Sequence, residues 1–87
     1  MYEISSRISW QFVPNDNCVI LYNSDSKDFS RLDGVAFEIW NLIISKMDKD
    51  RIVEAISSKY EVSKESINVD IESFFEDMVF QGVLDKL

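Results

Sequence analysis

Apolar residues fall on even positions early in the chain, where Ile4, Ile8, Trp10 and Phe12 alternate with polar residues such as Ser9 and Gln11. A period of two predicts a half-buried β-strand. Pro14-Asn15-Asp16-Asn17 predicts a turn, because proline fixes φ and Asn/Asp tolerate left-handed geometry. Cys18-Val19-Ile20-Leu21-Tyr22 is a continuous apolar run, the pattern of a central strand covered on both faces. After a second turn at Asn23-Ser24-Asp25-Ser26, Lys27 to Leu32 predicts a third, more polar strand. Tight turns between the three imply an antiparallel meander.

The period changes after Asp33-Gly34. Asp33 is placed to cap a helix starting near Val35, whose Ala36, Phe37, Ile39, Trp40, Ile43, Ile44 and Met47 form an apolar stripe. Asp48 is expected to cap a second helix, with Ile52, Ala55, Ile56 and Tyr60 turned inward. Ser63 caps a third, with Ile67, Ile71, Phe74, Phe75 and Met78 inward and Gly82 as its stop. Val83-Leu84 is expected to close back on the core. Three strands followed by three helices make an α+β fold, expected as a single domain over residues 1–87.

Composition narrows the function. At 46% hydrophobic and 13% aromatic, the chain can bury one core and is not disordered throughout. A chain of this size buries only roughly 60–65% of its unfolded surface, so partner contacts would add to its stability. The net charge of −7 opposes general binding to nucleic acid or anionic lipid and suits a neutral or basic partner. The start of the chain lacks the apolar stretch of a signal peptide, and no run approaches roughly 18 apolar residues. The single cysteine can form no internal disulfide. A cytoplasmic protein with no membrane partner is expected.

Catalytic equipment is sparse. There is no histidine, the commonest general base and metal ligand. Two glycines, Gly34 and Gly82, cannot build a phosphate-binding loop. Cys18 reads as a small buried hydrophobe, and the carboxylate pairs Asp48/Asp50 and Glu76/Asp77 as solvated helix faces. The expectation is a protein that is not an enzyme and needs no cofactor or metal.

The third strand and third helix hold the binding candidates. If the sheet follows chain order, Lys27-Asp28-Phe29-Ser30-Arg31-Leu32 is an edge. Its charges are what proteins use to blunt an edge, yet the same edge can accept an added strand. Phe29 fits poorly into a core, as do Phe80 and Val69, which lie away from the inward stripe of the third helix. A winged-helix DNA-binding regulator is a rival reading, but from Ser63 to Gln81 five acidic residues stand against Lys64 alone. A dimerisation domain using the same edge is another rival, distinguishable by self-association without peptide.

At this point the residues resemble a known family. "VILYN" and "FSRLDGVAFEIW", between Val19 and Trp40, followed by "IVEAISSKYEVSKESINVDIESFFEDMVFQGVL", are similar to the PqqD-like proteins over roughly Ile8 to Leu84. The resemblance implies a winged helix-turn-helix with three strands and three helices. It also implies a role as the recognition element (RRE) of a pathway making a ribosomally synthesised and post-translationally modified peptide (RiPP). Such elements bind a precursor's leader as an antiparallel strand on the third strand, against the third helix, and present it to a modifying enzyme or leader peptidase. Carried onto this chain, the peptide contacts are Phe29, Ser30, Arg31 and Leu32 on the edge and Asp70, Ser73, Phe74 and Asp77 on the helix. Asp70 matches an Asp of the family, whereas Ser73 and Asp77 follow from i, i+3, i+4 and i+7 spacing. Apolar leader side chains would enter pockets near Phe29, Leu32 and Phe74.

Three departures stand out. The family's usual Gly before the third strand is replaced within "NSDSKD", the Leu-Asn after it is Leu32-Asp33, and the Gly after the first helix is missing from Ser45-Lys46-Met47-Asp48. They favour a freestanding element of a lasso-peptide or other modified-peptide pathway over the PQQ-biosynthesis peptide chaperone itself.

Overall fold

The computed structural model describes residues 2–87. Its elements are β1 (Tyr2–Ile4), β2 (Ile8–Val13), β3 (Cys18–Asn23), β4 (Asp28–Asp33), α1 (Gly34–Ile44), α2 (Lys49–Tyr60), α3 (Lys64–Phe80) and β5 (Leu84–Lys86). The expected meander is β2–β3–β4, antiparallel and in chain order. With the three helices that follow, it forms an α+β winged helix-turn-helix.

Two short strands go beyond the expected three. Tyr2 pairs with Lys86 and Ile4 with Leu84, so β1 and β5 form a separate two-stranded antiparallel sheet. Ile4 therefore does not continue into the strand of Ile8. The amide of Ile8 donates to the Ser5 carbonyl at 3.0 Å, turning the chain between them, and the Ser5 amide donates to Val83 at 2.9 Å. Val83 and Leu84 do close on the core, and both are buried.

The register assigns the sheet's faces. Trp10, Leu21 and Ser30 stand in one row and Phe12, Val19 and Leu32 in another, all on the side facing the helices. Val19, Leu21 and Leu32 join Trp40, Ile52 and Ile71 in the core cluster. Trp40 is fully buried and meets Trp10 edge-on at 5.6 Å, while Phe37 meets Phe12 at 6.0 Å. Trp10 and Phe12 nevertheless stay partly exposed, because β2 is an outer strand of the sheet. The opposite face of β3 carries Ile20 and Tyr22, only half-buried, so β3 is not covered evenly on both faces.

Helix ends correct some expectations and satisfy others. The Asp48 carboxylate accepts from the Arg51 amide at 2.9 Å and the Ser63 hydroxyl from the Ser66 amide at 3.2 Å. Asp33 makes no side-chain cap bond. Gly34, the first residue of α1, takes φ +57 in the left-handed region, and the Asp33 carboxylate accepts instead from Arg31 Nε at 3.4 Å. In α2 the buried stripe is Ile52, Val53 and Ile56, and Tyr60 at the last position is exposed rather than inward.

At the end of α3, Gly82 takes φ +77. Its amide donates to Val79 at 3.0 Å and that of Val83 to Met78 at 2.8 Å, the two bonds of a Schellman stop. The same pair closes α1, where Lys46 donates to Ile43 and Met47 to Leu42. Here Lys46, at φ +67, holds the left-handed position that suits glycine, and Lys27 does likewise at φ +61 before β4. A side chain in that region costs about 1–2 kcal/mol, against about 0.5–1 kcal/mol of extra chain entropy for glycine. Lys46→Gly is expected to stabilise the fold by about 0.5–1 kcal/mol, raising Tm by several degrees in a thermal melt.

Two ion pairs fix the helices relative to one another. Lys59 Nζ donates to Glu38 Oε1 at 2.6 Å, joining α2 to α1, and Lys49 Nζ to Glu72 Oε1 at 2.6 Å, joining α2 to α3. These hydrogen bonds hold the Glu38 and Glu72 carboxyls below their ordinary range and push the two lysines up. The second pair also marks the rotation of α3, which its buried Ile71, Phe75 and Met78 set. With Glu72 turned to α2, Phe74 lies about 200° further around the helix, so its flank faces away from α2. Among the described residues, no helix is long and apolar enough to cross a membrane.

Candidate functional site

β4 pairs with β3 on one side, and among the described residues no strand pairs with its other side. Alternate N–H and C=O groups along β4 are therefore left pointing outward, ready for another strand. Strand alternation sends Asp28, Ser30 and Leu32 toward the helix layer and Phe29, Arg31 and Asp33 to the opposite face.

A cleft of about 260 Å³ opens on the helix side of this edge. Ile8, Leu21 and Val83 give it an apolar floor. Asn23, Ser26, Asp28 and Ser30 line it from the sheet, and Gln81 from the end of α3. The Asn23 side chain joins the two walls. Its Oδ1 accepts from the Asp25 and Ser26 amides at 2.9 and 3.2 Å, shaping the turn before β4, while Nδ2 donates to the Gln81 carbonyl at 3.4 Å. Arg7 braces the same end through a 3.2 Å ion pair to Asp25. A Cβ at Gly82 would stand 3.2 Å from the Arg7 guanidinium, so the glycine serves this close approach as well as the helix stop.

The helix candidates lie along one flank of α3. Phe74 is half-buried, and Asp70, Ser73 and Asp77 are exposed. Gln81 follows Phe74 by seven residues, on the same side of the helix, so this flank leads into the cleft. Ser30 and Leu32 share the cleft's face of the sheet, Leu32 being buried in the core.

Phe29 and Arg31 do not join them. The Phe29 ring rests on Tyr22 at a centroid distance of 4.7 Å and is 71% exposed, on the outer face. Arg31, on that face too, is engaged with Asp33. Phe29 and Leu32 thus face opposite sides of the sheet, so the pockets expected near them cannot share one face. An added strand would meet Asp28, Ser30 and the cleft with one set of side chains, and Phe29 and Arg31 with the other. Asn23, Asp28 and Gln81 were absent from the sequence candidates. Asp28 could have been found from its even spacing to Leu32, and Asn23 from its turn-forming chemistry; nothing local marks Gln81.

The chemistry offered is recognition. The edge offers main-chain hydrogen bonds and the cleft an apolar floor with Asp28 on its wall, while Asp70, Ser73, Phe74 and Asp77 are not among the residues that line it. Cys18 is a buried free thiol. Among the described residues no three His, Cys, Asp or Glu side chains are grouped to hold a metal ion.

A family model described as Coenzyme PQQ synthesis protein D (PqqD) matches residues 18–84, from the first residue of β3 to the first of β5. The chain belongs to the PqqD family. The match takes in β4, the cleft and the whole of α3, and leaves β1 and β2 outside it. No curated protein matches the chain. Among solved structures it is similar to "TbiB1 in Complex with the TbiA(beta) Leader Peptide", with a TM-score of 0.91 and 24% identity, over 98% of this chain and 96% of that one. This PqqD-family chain therefore shares a fold, over 98% of its length, with a protein solved holding a leader peptide.

Proposed function

We propose that this chain captures the leader of a ribosomally synthesised precursor peptide as an antiparallel strand added to β4, and presents it to a separate modifying enzyme or leader peptidase. The observation that carries the reading is the unpaired edge of β4 beside a cleft floored by Ile8, Leu21 and Val83. Membership of the PqqD family and the likeness to TbiB1 support it. In this reading main-chain bonds to β4 supply much of the affinity and flanking side chains the selectivity. Ser30, Leu32, Phe74 and the cleft receive inward leader side chains. Phe29 and Arg31 receive outward ones, and Asp70, Ser73 and Asp77 form a polar, acidic wall. Ordering a flexible leader opposes binding, so a few buried anchors must dominate. The chain acts as an adaptor, and chemistry belongs to its partner.

Calorimetric titration with the leader of the precursor encoded beside this chain tests the proposal. One saturable site is expected, weakened about tenfold by Asp70→Lys and by Phe29→Asp, each the loss of roughly 1.4 kcal/mol. A flat titration, or affinity unmoved by both substitutions, overturns it.

A further inference from the structure

α3 carries a second surface, turned away from the cleft. Phe80 is 91% exposed and Val69 63%. They stand eleven residues apart, three helical turns, and so on one line along the helix, with Ser73 and Glu76 between them. Phe80 does not pack on Val83 or Leu84, which are buried beneath the end of the helix. A single exposed apolar residue is ordinary, but a stripe ending in a bare phenylalanine is a surface awaiting cover.

Its border is uniformly acidic. Asp70 and Asp77 edge the stripe on the side of the cleft, Glu65 and Glu72 edge it on the other, and Glu76 stands within it. From Glu65 to Phe80 the helix has no basic residue. Glu72 is neutralised by Lys49, while the other four have no ion pair among the described residues. A surface that would cover the stripe must bring positive charge to its rim.

We infer that this stripe docks the enzyme to which the peptide is delivered, through an apolar socket for Phe80 rimmed by lysine or arginine. The inference rests on the reading of the cleft as a leader site. It adds a place for the enzyme on the same helix, next to the Asp70/Asp77 flank that the reading assigns to the peptide. The peptide itself is a poorer occupant, because Phe80 points about 100° around the helix from Gln81. Two copies of this chain would set acidic faces against each other, and anionic lipid would be repelled.

The test uses the purified leader peptidase or modifying enzyme encoded beside this chain. Its binding is measured to the full chain and to Phe80→Ser, Val69→Ser and Glu76→Lys, with leader affinity measured in parallel. All three sites are exposed, so folding is preserved. Enzyme affinity is expected to fall about tenfold or more for Phe80→Ser, in the range of a binding hot spot, and less for the other two. Added salt should weaken the wild-type complex. Leader affinity should stay within about twofold. The inference is overturned if the enzyme does not bind, or binds Phe80→Ser as it binds wild type. It is also overturned if Phe80→Ser weakens leader binding, or abolishes a wild-type dimer seen by sedimentation. A leader that fails to bind while the enzyme remains sensitive to Phe80 would instead sink the reading of the cleft alone.

Discussion

Leader peptides N-methylated one residue at a time are expected to lose affinity for this protein with a period of two. An antiparallel strand beside β4 turns alternate amides toward it and the intervening ones toward solvent. A methyl group on an inward amide removes its hydrogen bond and adds bulk where strands lie about 4.8 Å apart, while on an outward amide it meets only water. Inward positions should lose about tenfold or more, the equivalent of at least 1.4 kcal/mol, and outward ones little. The protein side of the experiment is Ser30→Trp. Ser30 lies on the cleft side of β4 opposite Leu21, and an indole there would occupy the space above Ile8 and Leu21. Ser30 is only half-buried, so the substitution should spare the fold and abolish the cleft. Leader affinity is expected to drop by more than about tenfold with little change in Tm. A loss without periodicity would mean that the leader lies in the cleft without joining the sheet.

The largest effect on stability is expected at Trp40. Its side chain is fully buried, within the cluster joining β3, β4 and the three helices, and edge-on to Trp10. Replacing a buried aromatic by alanine costs about 3–5 kcal/mol, against a total of about 4–13 kcal/mol for a chain of this length. Trp40→Ala should therefore lose much of the urea transition, or be largely unfolded in buffer, as followed by circular dichroism. Trp40→Phe is the informative companion. The indole Nε1 is buried without a hydrogen-bond partner, and such a donor costs about 1–3 kcal/mol. Phenylalanine removes that donor while keeping most of the ring, so the net loss should be about 1–2 kcal/mol, well below the alanine value. Equal losses for the two variants would show that the indole nitrogen is satisfied in solution, by a bound water for example.

What was legible in the sequence follows the reach of each signal. β2, β3 and β4 announce themselves because six residues are enough to display a period of two or an unbroken apolar run. β1 and β5, at three residues each, have no period of their own; they exist because the two ends of the chain pair across the whole fold. Asp48 and Ser63 cap as read, since capping is local. Asp33 does not, because a left-handed Gly34 and an Arg31 partner are settled by how β4 meets α1. The candidate site divides the same way. The edge character of β4 was readable from chain order and polarity. The parting of Phe29 from Leu32 was readable too, for an odd spacing in a strand means opposite faces. Gln81 was not, because the cleft it closes is made by the Schellman stop and by Asn23, nearly sixty residues away.

The pairing of Tyr2 with Lys86 sets the first and last strands side by side, with Cα atoms about 4.5–5.5 Å apart. They enter and leave in opposite directions through a sheet of their own, to which β4 does not belong. Ends placed this way suit a plug-in cassette. Insertion into a surface loop of a host protein through two short linkers would load β1 and β5 and leave the outer edge of β4 untouched.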